Sequence, residues 1–209
     1  MGIAERRERE RTEVRGKIMD AARRLFVEHG YDAVSMRMIA REIEYSPTAI
    51  YFHFKDKEAL FQELCACDFM SLSGAFRKMA RMEDPVERLK AIGTAYAEFA
   101  IEYPNHYRLM FMTPTPPMEV DTRVHRGNPE EDAYAFLRAT VADGIRAGRF
   151  LPELDDEESL AQLMWAGVHG VVSLRIAKGE DPWVSWAPQR AAVQQMIDTL
   201  VRGITRQDG

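Results

Sequence analysis

The chain has 209 residues, of which 46% are hydrophobic, and this content suffices for a buried core and excludes a disordered or fibrous protein. The net charge of −5 is uneven, because residues 1–57 carry 12 Lys/Arg against 10 Asp/Glu while the remainder carries 16 against 23. A mildly basic N-terminal segment followed by an acidic remainder is typical of a protein in which only the N-terminal segment binds phosphate groups.

No targeting or membrane segment is expected. The apolar runs are interrupted well short of the about 20 residues that a membrane span needs, and the N-terminus has no apolar signal segment. We therefore expect a cytoplasmic protein without a membrane partner.

The cysteines and histidines do not predict a chemical centre. Cys65 and Cys67 lie two residues apart on a predicted helix and point away from each other, which suits neither a disulfide nor a shared metal. The five histidines show no paired ligand spacing, and no nucleophile–base pair or glycine-rich phosphate loop stands out. We expect no metal, no cofactor and no catalytic residue, and an all-α enzyme is the least favoured alternative.

Apolar residues recur at spacings of three and four almost everywhere, which predicts an all-α fold of about nine helices. The first helix is predicted over residues 10–29 and ends before Gly30. Ser35 and Ser46 are predicted N-caps of two short helices, and Pro47 stands at the first position of the second one. A fourth helix begins after Asp56.

Proline-containing caps at Asp84-Pro85 and Asn128-Pro129 predict the starts of two long helices. Between them, a short aromatic-rich helix follows Pro104, and the prolines of residues 113–127 predict an irregular surface loop. Two further long helices are predicted at the end of the chain, over about residues 156–178 and 188–206.

Residues 35–54 carry the strongest functional signal. Two short helices joined by a tight turn are unstable alone, and their apolar positions can pack together only if the pair crosses steeply on the first helix. The outward face of the third helix then carries small side chains, which allow approach to base edges, followed by side chains that can bind phosphate. A three-helix module that binds another protein remains the alternative.

This stretch resembles the N-terminal domain of TetR-family regulators. The match covers about residues 13–61 and includes Gly30-Tyr31, Val34-Ser35 and Ile39-Ala40 at the family spacing, followed by the Ser46 to Leu60 pattern. The resemblance implies a helix-turn-helix DNA-binding domain over residues 1–57, including a basic N-terminal arm. With Pro47 and Ala49 added from the outward face, the predicted DNA contacts are Ser35, Arg37, Ser46, Pro47, Thr48, Ala49, Tyr51, His53 and Lys57.

The turn before the third helix departs from the family pattern. The usual glycine is replaced, since the turn is Ile43-Glu44-Tyr45. A residue other than glycine in the left-handed conformation costs about 1 kcal/mol. We expect this departure to affect base preference more than DNA binding itself.

Residues 161–179 resemble the Trp-x-x-x-His-Gly pattern of one C-terminal class in the same family, through Trp165, His169 and Gly170. The resemblance implies an effector-binding and dimerisation domain over residues 58–209. Aromatic and methionine side chains beside the Pro104 break suit a hydrophobic or aromatic effector, although such stripes also occur in ordinary cores. The predicted lining is Phe99, Tyr103, Tyr107, Met110, Phe111, Trp165 and His169.

The apolar stripes on the last two helices are wider than one core needs, which predicts a second buried face against a partner. The predicted interface residues are Leu163, Val171, Leu174, Val193, Met196, Ile197, Leu200 and Ile204. The resemblance therefore implies a homodimeric repressor that a small effector releases from a palindromic operator on double-stranded DNA. A regulator without an effector, whose larger domain only dimerises, remains open.

Overall fold

The computed structural model describes residues 2–114 and 126–206, apart from the side chain of Ile3. These residues form nine α-helices, which confirms the predicted all-α fold. The helices are α1 (Ile3–His29), α2 (Met36–Glu42), α3 (Pro47–His53), α4 (Lys57–Arg77), α5 (Pro85–Glu102), α6 (Pro104–Phe111), α7 (Ala133–Arg146), α8 (Glu157–Lys178) and α9 (Gln189–Ile204). Most of the loop predicted over residues 113–127 lies outside the described residues.

The described residues divide into two compact units. Unit 1 lies within Met1–Asp68 and Asn105–Arg123, and unit 2 lies within Phe69–Pro104 and Val124–Gly209. Helix α4 therefore contributes to both units. The domain boundary predicted between residues 57 and 58 stays a prediction.

Unit 1 is held together by an aromatic cluster at the turn between α1 and α2. The Phe26 ring stacks on Tyr31 with a centroid separation of 5.6 Å. Phe61 of α4 meets both rings edge-on, at 5.4 Å from Phe26 and 4.9 Å from Tyr31. Around this cluster the core is formed by fully buried aliphatic side chains, namely Ile18, Ile39, Ile50, Leu60 and Leu64.

A buried ion pair joins α1 to α4 in the same unit. Arg23 and Asp68 are 5% and 2% exposed, and the guanidinium meets both carboxylate oxygens, with Nη2–Oδ1 at 2.8 Å and Nε–Oδ2 at 3.1 Å. His106 of α6 places Nδ1 at 2.9 Å from the same Oδ1. Asp20 accepts a further hydrogen bond from Arg23 Nη1 at 2.9 Å. One carboxylate therefore connects three helices.

Helix α1 begins at Ile3, seven residues before the predicted start at residue 10. The extra turns contain few apolar residues, so periodicity does not reveal them. They are stabilised by local polar contacts, because Glu5 accepts from the backbone of Gly2 at 2.9 Å and Arg6 pairs with Glu10 at 2.8 Å. The segment expected to be a basic arm is thus part of a continuous helix.

Helix α7 also begins at a different residue from the predicted one. Its N-cap is Asp132, whose Oδ1 accepts from the backbone N–H of Tyr134 and Ala135 at 2.9 and 3.2 Å. Asn128, the predicted cap, instead accepts from the backbone of Glu130 at 3.1 Å in a preceding turn. Both residues are good caps, and only the one nearest the apolar stripe starts the helix.

Unit 2 packs α8 against α5, α7 and α9. Glycines permit close packing in this unit. A Cβ on Gly167 of α8 would lie 2.6 Å from Leu200 Cδ1 of α9, and one on Gly144 of α7 would overlap the ring of Phe150, which lies between α7 and α8. Among the described residues, α8 is the one helix long and apolar enough to cross a membrane by length and composition, whereas the sequence analysis expected none. Its packing in unit 2 accounts for part of that apolar surface.

Candidate nucleic-acid interface and effector region

Two serine caps define the helix-turn-helix. Ser35 Oγ accepts from the backbone N–H of Met38 at 3.2 Å, and Ser46 Oγ accepts from that of Ala49 at 3.2 Å. Each cap satisfies a backbone donor that a seven-residue helix would otherwise leave open. Both serines, predicted as DNA contacts, are exposed, as is Arg37 on α2. Their contacts with DNA stay predictions.

The turn between α2 and α3 contains the left-handed residue that the sequence analysis anticipated. Glu44 has φ 57°, and it is the only residue other than glycine with positive φ among the described residues. The turn is closed by a hydrogen bond from the Tyr45 N–H to the Ala40 carbonyl at 2.9 Å. A side chain thus occupies a position where glycine would be unstrained.

Helix α3 has one buried and one open face. Ile50 and the following Phe54 anchor its inner side at 0% and 3% exposure. On the outer side, Tyr51 is 52% exposed, and the predicted contacts Pro47 and Thr48 are also exposed, with Ala49 partly so. This arrangement leaves the outer face of α3 accessible to a partner.

Phe52 was missed by the sequence analysis, and it is 77% exposed. It lies four residues after Thr48, which places both on one side of the helix. That spacing is the signal that could have found it, since an exposed aromatic ring beside small side chains is a candidate for apolar contact with thymine methyl groups.

Lys57 and His53, both predicted contacts, also have structural partners. Lys57 Nζ donates to the Tyr31 carbonyl at 2.9 Å and lies 4.2 Å from the centre of the Tyr31 ring, which fastens the start of α4 to the turn after α1. His53 is partly buried, and burial lowers the pKa of its imidazole, with the positive charges of Arg15 and Arg11 lowering that pKa further. A phosphate near His53 would oppose this effect.

The residues predicted to line an effector cavity fall in both units. Tyr107, Met110 and Phe111 are in unit 1, whereas Phe99, Tyr103, Trp165 and His169 are in unit 2. Within each unit neighbouring rings are in contact, at 5.0 Å between the centroids of Tyr107 and Phe111 and 5.5 Å between those of Phe99 and Tyr103. The cavity itself stays a prediction. Across the described ranges, no three His, Cys, Asp or Glu side chains form a group that could hold a metal ion.

A hydrogen-bonded chain of three side chains connects α5 and α8 in unit 2. Trp165 Nε1 donates to the Tyr96 hydroxyl oxygen at 3.0 Å, and that hydroxyl lies 3.0 Å from His169 Nδ1. Because indole is a donor only, the Tyr96 oxygen accepts from Trp165, and the same hydroxyl forms the second hydrogen bond with His169 Nδ1. Tyr96 was not predicted, because its partners are 69 and 73 residues away in the sequence.

We expect the hydrogen-bonded group of Trp165, Tyr96 and His169 to make the protein less stable below pH 6.5. Burial lowers the pKa of His169 below its ordinary value of 6.5, so the neutral ring stabilises the fold above that pH. The contribution is lost as the pH falls from 6.5 through the lower pKa of the folded protein. His169→Asn keeps a hydrogen-bonding group near the position of Nδ1 and does not titrate, so the Tm of this variant should fall less than that of the wild type between pH 7.5 and 5.5. If Tm falls equally in the variant and the wild type, buried neutral His169 is not the cause of the pH dependence.

The predicted dimer residues divide into two groups. Leu163 and Leu174 are 50% and 56% exposed, and Val171, Met196 and Leu200 are partly exposed. The other predicted residues are at most 4% exposed, because they pack inside the core of the same protomer and are not available to a partner: Val193, Ile197 and Ile204. The stripe on α9 is wide because its inner half packs within unit 2 and its outer half does not.

The surface of α8 and α9 that remains exposed is called the α8/α9 face and is defined by Leu163, Gly170, Leu174, Met196 and Leu200.

Comparison with known proteins agrees with this architecture. Residues 18–64 match the model of bacterial regulatory proteins of the tetR family, and residues 89–200 match that of the tetracyclin repressor-like C-terminal domain. The chain belongs to the TetR family. It is accordingly a helix-turn-helix transcriptional regulator and not an enzyme. The matched C-terminal model does not test the resemblance to the Trp-x-x-x-His-Gly class, which stays a prediction.

Known transcriptional regulators resemble the chain over nearly its whole length. It is 28% identical over 191 residues to the HTH-type transcriptional repressor Rv1474c of Mycobacterium tuberculosis, covering 90% of this chain and 92% of the relative. The fatty acid degradation regulator FadR of Bacillus halodurans has a similar fold, with a TM-score of 0.70, 20% identity and coverage of 90% and 94%. So does the ketosteroid transcriptional regulator KstR2 of Mycobacterium tuberculosis, with a TM-score of 0.66, 21% identity and coverage of 92% and 95%.

Proposed function

We propose that the chain is a cytoplasmic, homodimeric repressor that reads a two-fold symmetric operator through the outer face of α3. The observation that carries this proposal is the helix itself: it is capped at Ser46, anchored by Ile50 and Phe54, and open on the side of Thr48 and Tyr51. A short helix that is fixed from behind and open in front can enter a major groove.

Dimerisation follows from the limited reach of one such helix. A seven-residue helix contacts too few base pairs to specify a site, whereas a two-fold dimer places two of them about 34–36 Å apart on one side of the duplex. The α8/α9 face supplies a surface for this contact. Leu163 and Leu174 are about half exposed there, and a Cβ on Gly170 would meet no atom of the chain within 4 Å. Open apolar surface beside a small residue suits close approach of a partner helix.

Leu174→Glu should convert the dimer to a monomer. The substitution places a charge on the α8/α9 face, where its burial against a second copy would be costly. Because Leu174 is 56% exposed, the fold of the protomer should remain intact. Sedimentation velocity measures the mass, and circular dichroism the fold.

Met70→Glu is the matched control, because Met70 on α4 is also apolar and is 50% exposed. It should leave the mass of the dimer unchanged. A Leu174→Glu protein that sediments as a dimer would exclude this face as the interface.

For the effector we propose a small hydrophobic molecule that binds in the domain following the helix-turn-helix. Support comes from the aromatic side chains around the Trp165–Tyr96–His169 chain, which combine apolar surface with hydrogen-bonding groups. FadR and KstR2 are named for fatty acid degradation and ketosteroids, both of which concern hydrophobic molecules.

A thermal-shift screen with fatty acids, acyl thioesters and steroids tests the effector proposal. A ligand that raises Tm and also weakens operator binding supports it. A protein that binds its operator and responds to none of these molecules would instead favour the regulator that only dimerises.

A further inference from the structure

Helix α1 extends well beyond the core of the helix-turn-helix. Every residue described from Ala4 to Glu13 is exposed, and the buried positions of the helix begin at Ile18. At 1.5 Å per residue, this exposed part is about 15 Å long. Such a length is comparable to the distance between several successive phosphates along a duplex.

The arginines of this extension lie on different faces of the helix. Arg7 precedes Ile18 by eleven residues and Arg11 precedes Ala22 by eleven, which is close to three full turns. Arg7 and Arg11 therefore continue the stripe that packs into the core further along α1, where Ile18 and Ala22 are both buried. Arg9 lies two residues from each of them and so stands on the opposite side.

Arg15, the next residue of this stripe, shows where it leads. Its Nη1 donates to the His53 carbonyl at the end of α3 at 2.8 Å, and its guanidinium lies 4.2 Å from the centre of the Phe54 ring. Arg15 is also paired with Glu63 of α4. Arg11 is near enough for its charge to act on His53. The stripe on α1 therefore passes beside the end of α3 at Arg15 and continues toward the N-terminus through Arg11 and Arg7.

The outer arginines are available for a ligand. Within residues 2–114 and 126–206 the side chain of Arg7 makes no ion pair or hydrogen bond, and that of Arg11 has one exposed pair, with Glu8 at 3.4 Å. Exposed pairs of this kind contribute little and are readily exchanged. Arginine is well suited to phosphate, because its planar group can donate two parallel hydrogen bonds.

We propose that Arg7 and Arg11 bind backbone phosphates of the DNA that flanks the base pairs contacted by α3, with α1 acting as a rigid helical extension of the interface. This inference rests on the proposed function, because it requires operator binding by α3. It identifies one face of the extension as the binding face, where the sequence analysis expected a basic arm without distinguishing its sides.

The test measures operator affinity by fluorescence anisotropy over a range of salt concentrations. Each phosphate contact contributes about 0.9 to the slope of log K against log salt. Arg7→Ala and Arg11→Ala should each lower that slope by about 1.8 for a dimer, since two protomers lose one contact each. Arg9→Ala removes the same charge from the opposite side and should leave the slope nearly unchanged. Circular dichroism confirms that α1 remains helical in each variant.

Duplex length provides a second measurement. Trimming base pairs from both ends of the operator should lower the wild-type slope to that of the Arg7→Ala/Arg11→Ala double variant, and that variant should not respond to trimming. Equal slopes for Arg9→Ala and the two stripe variants would overturn the proposal, as would a wild-type slope unaffected by trimming. If the wild type binds no operator at all, the proposed function fails first.

Discussion

Replacing Asp68 by alanine should lower the free energy of unfolding by about 3–5 kcal/mol, because it removes the buried counter-charge of the Arg23 guanidinium and leaves only the exposed Asp20 beside it. Arg23 is 5% exposed and cannot reach solvent without disrupting the packing of α1 on α4. The substitution also removes the oxygen that His106 Nδ1 contacts at 2.9 Å. The loss should appear as a lower midpoint in urea denaturation monitored by circular dichroism.

Asp20→Ala is the matched control for this experiment. Asp20 also accepts from Arg23, at 2.9 Å, but its side chain is 66% exposed. Removing it should cost less than about 1 kcal/mol, as for other pairs at the surface. The double variant Arg23→Met/Asp68→Leu should recover most of the stability lost in Asp68→Ala, because no charge remains buried. Similar losses in Asp68→Ala and Asp20→Ala would contradict this account.

Replacing Tyr51 by alanine should weaken operator binding by about 30-fold to 20,000-fold without unfolding the protein. A side chain that contacts base or phosphate contributes about 1–3 kcal/mol, and a two-fold dimer loses two such contacts, or about 2–6 kcal/mol. Because Tyr51 is 52% exposed and Ile50 and Phe54 anchor the other side of α3, Tm should change little. Anisotropy at one fixed salt concentration measures the affinity.

Two variants locate the origin of that loss. Tyr51→Phe keeps the ring and removes the hydroxyl, so an intermediate affinity would assign part of the effect to a hydrogen bond with phosphate. Trp183→Ala is the control for removing an exposed aromatic side chain elsewhere, since Trp183 is 76% exposed in the segment between α8 and α9. Wild-type affinity in Tyr51→Ala would remove this residue from the interface.

The helices that the sequence predicted best are those with an unambiguous cap. Ser35 and Ser46 mark the first residues of α2 and α3 because each has a side-chain acceptor directly before an apolar stripe. The start of α1 was missed because ion pairs, not apolar residues, stabilise its first turns. The start of α7 was missed because Asn128 forms a turn that resembles a cap in sequence.

Side-chain partners that are distant in the chain could not be predicted. Periodicity places Trp165 and His169 on one side of α8, but it does not indicate that Tyr96 bridges them from α5. The same limit applies to α9. The sequence shows that its apolar stripe is wide, but it does not show which half of the stripe is buried in the core, as Ile197 is. That depends on the angle at which α9 packs on α5 and α8.

The most direct test of the central claim is selection of bound duplexes from a random-sequence library by the full-length protein. We predict enrichment of one two-fold symmetric sequence whose half-sites are separated by about one helical turn or a multiple of it, with two or more protomers bound. In the Tyr51→Ala variant this enrichment should be lost. Retention of all sequences with equal affinity by the wild type, or enrichment of an asymmetric sequence bound by a single protomer, would contradict the account.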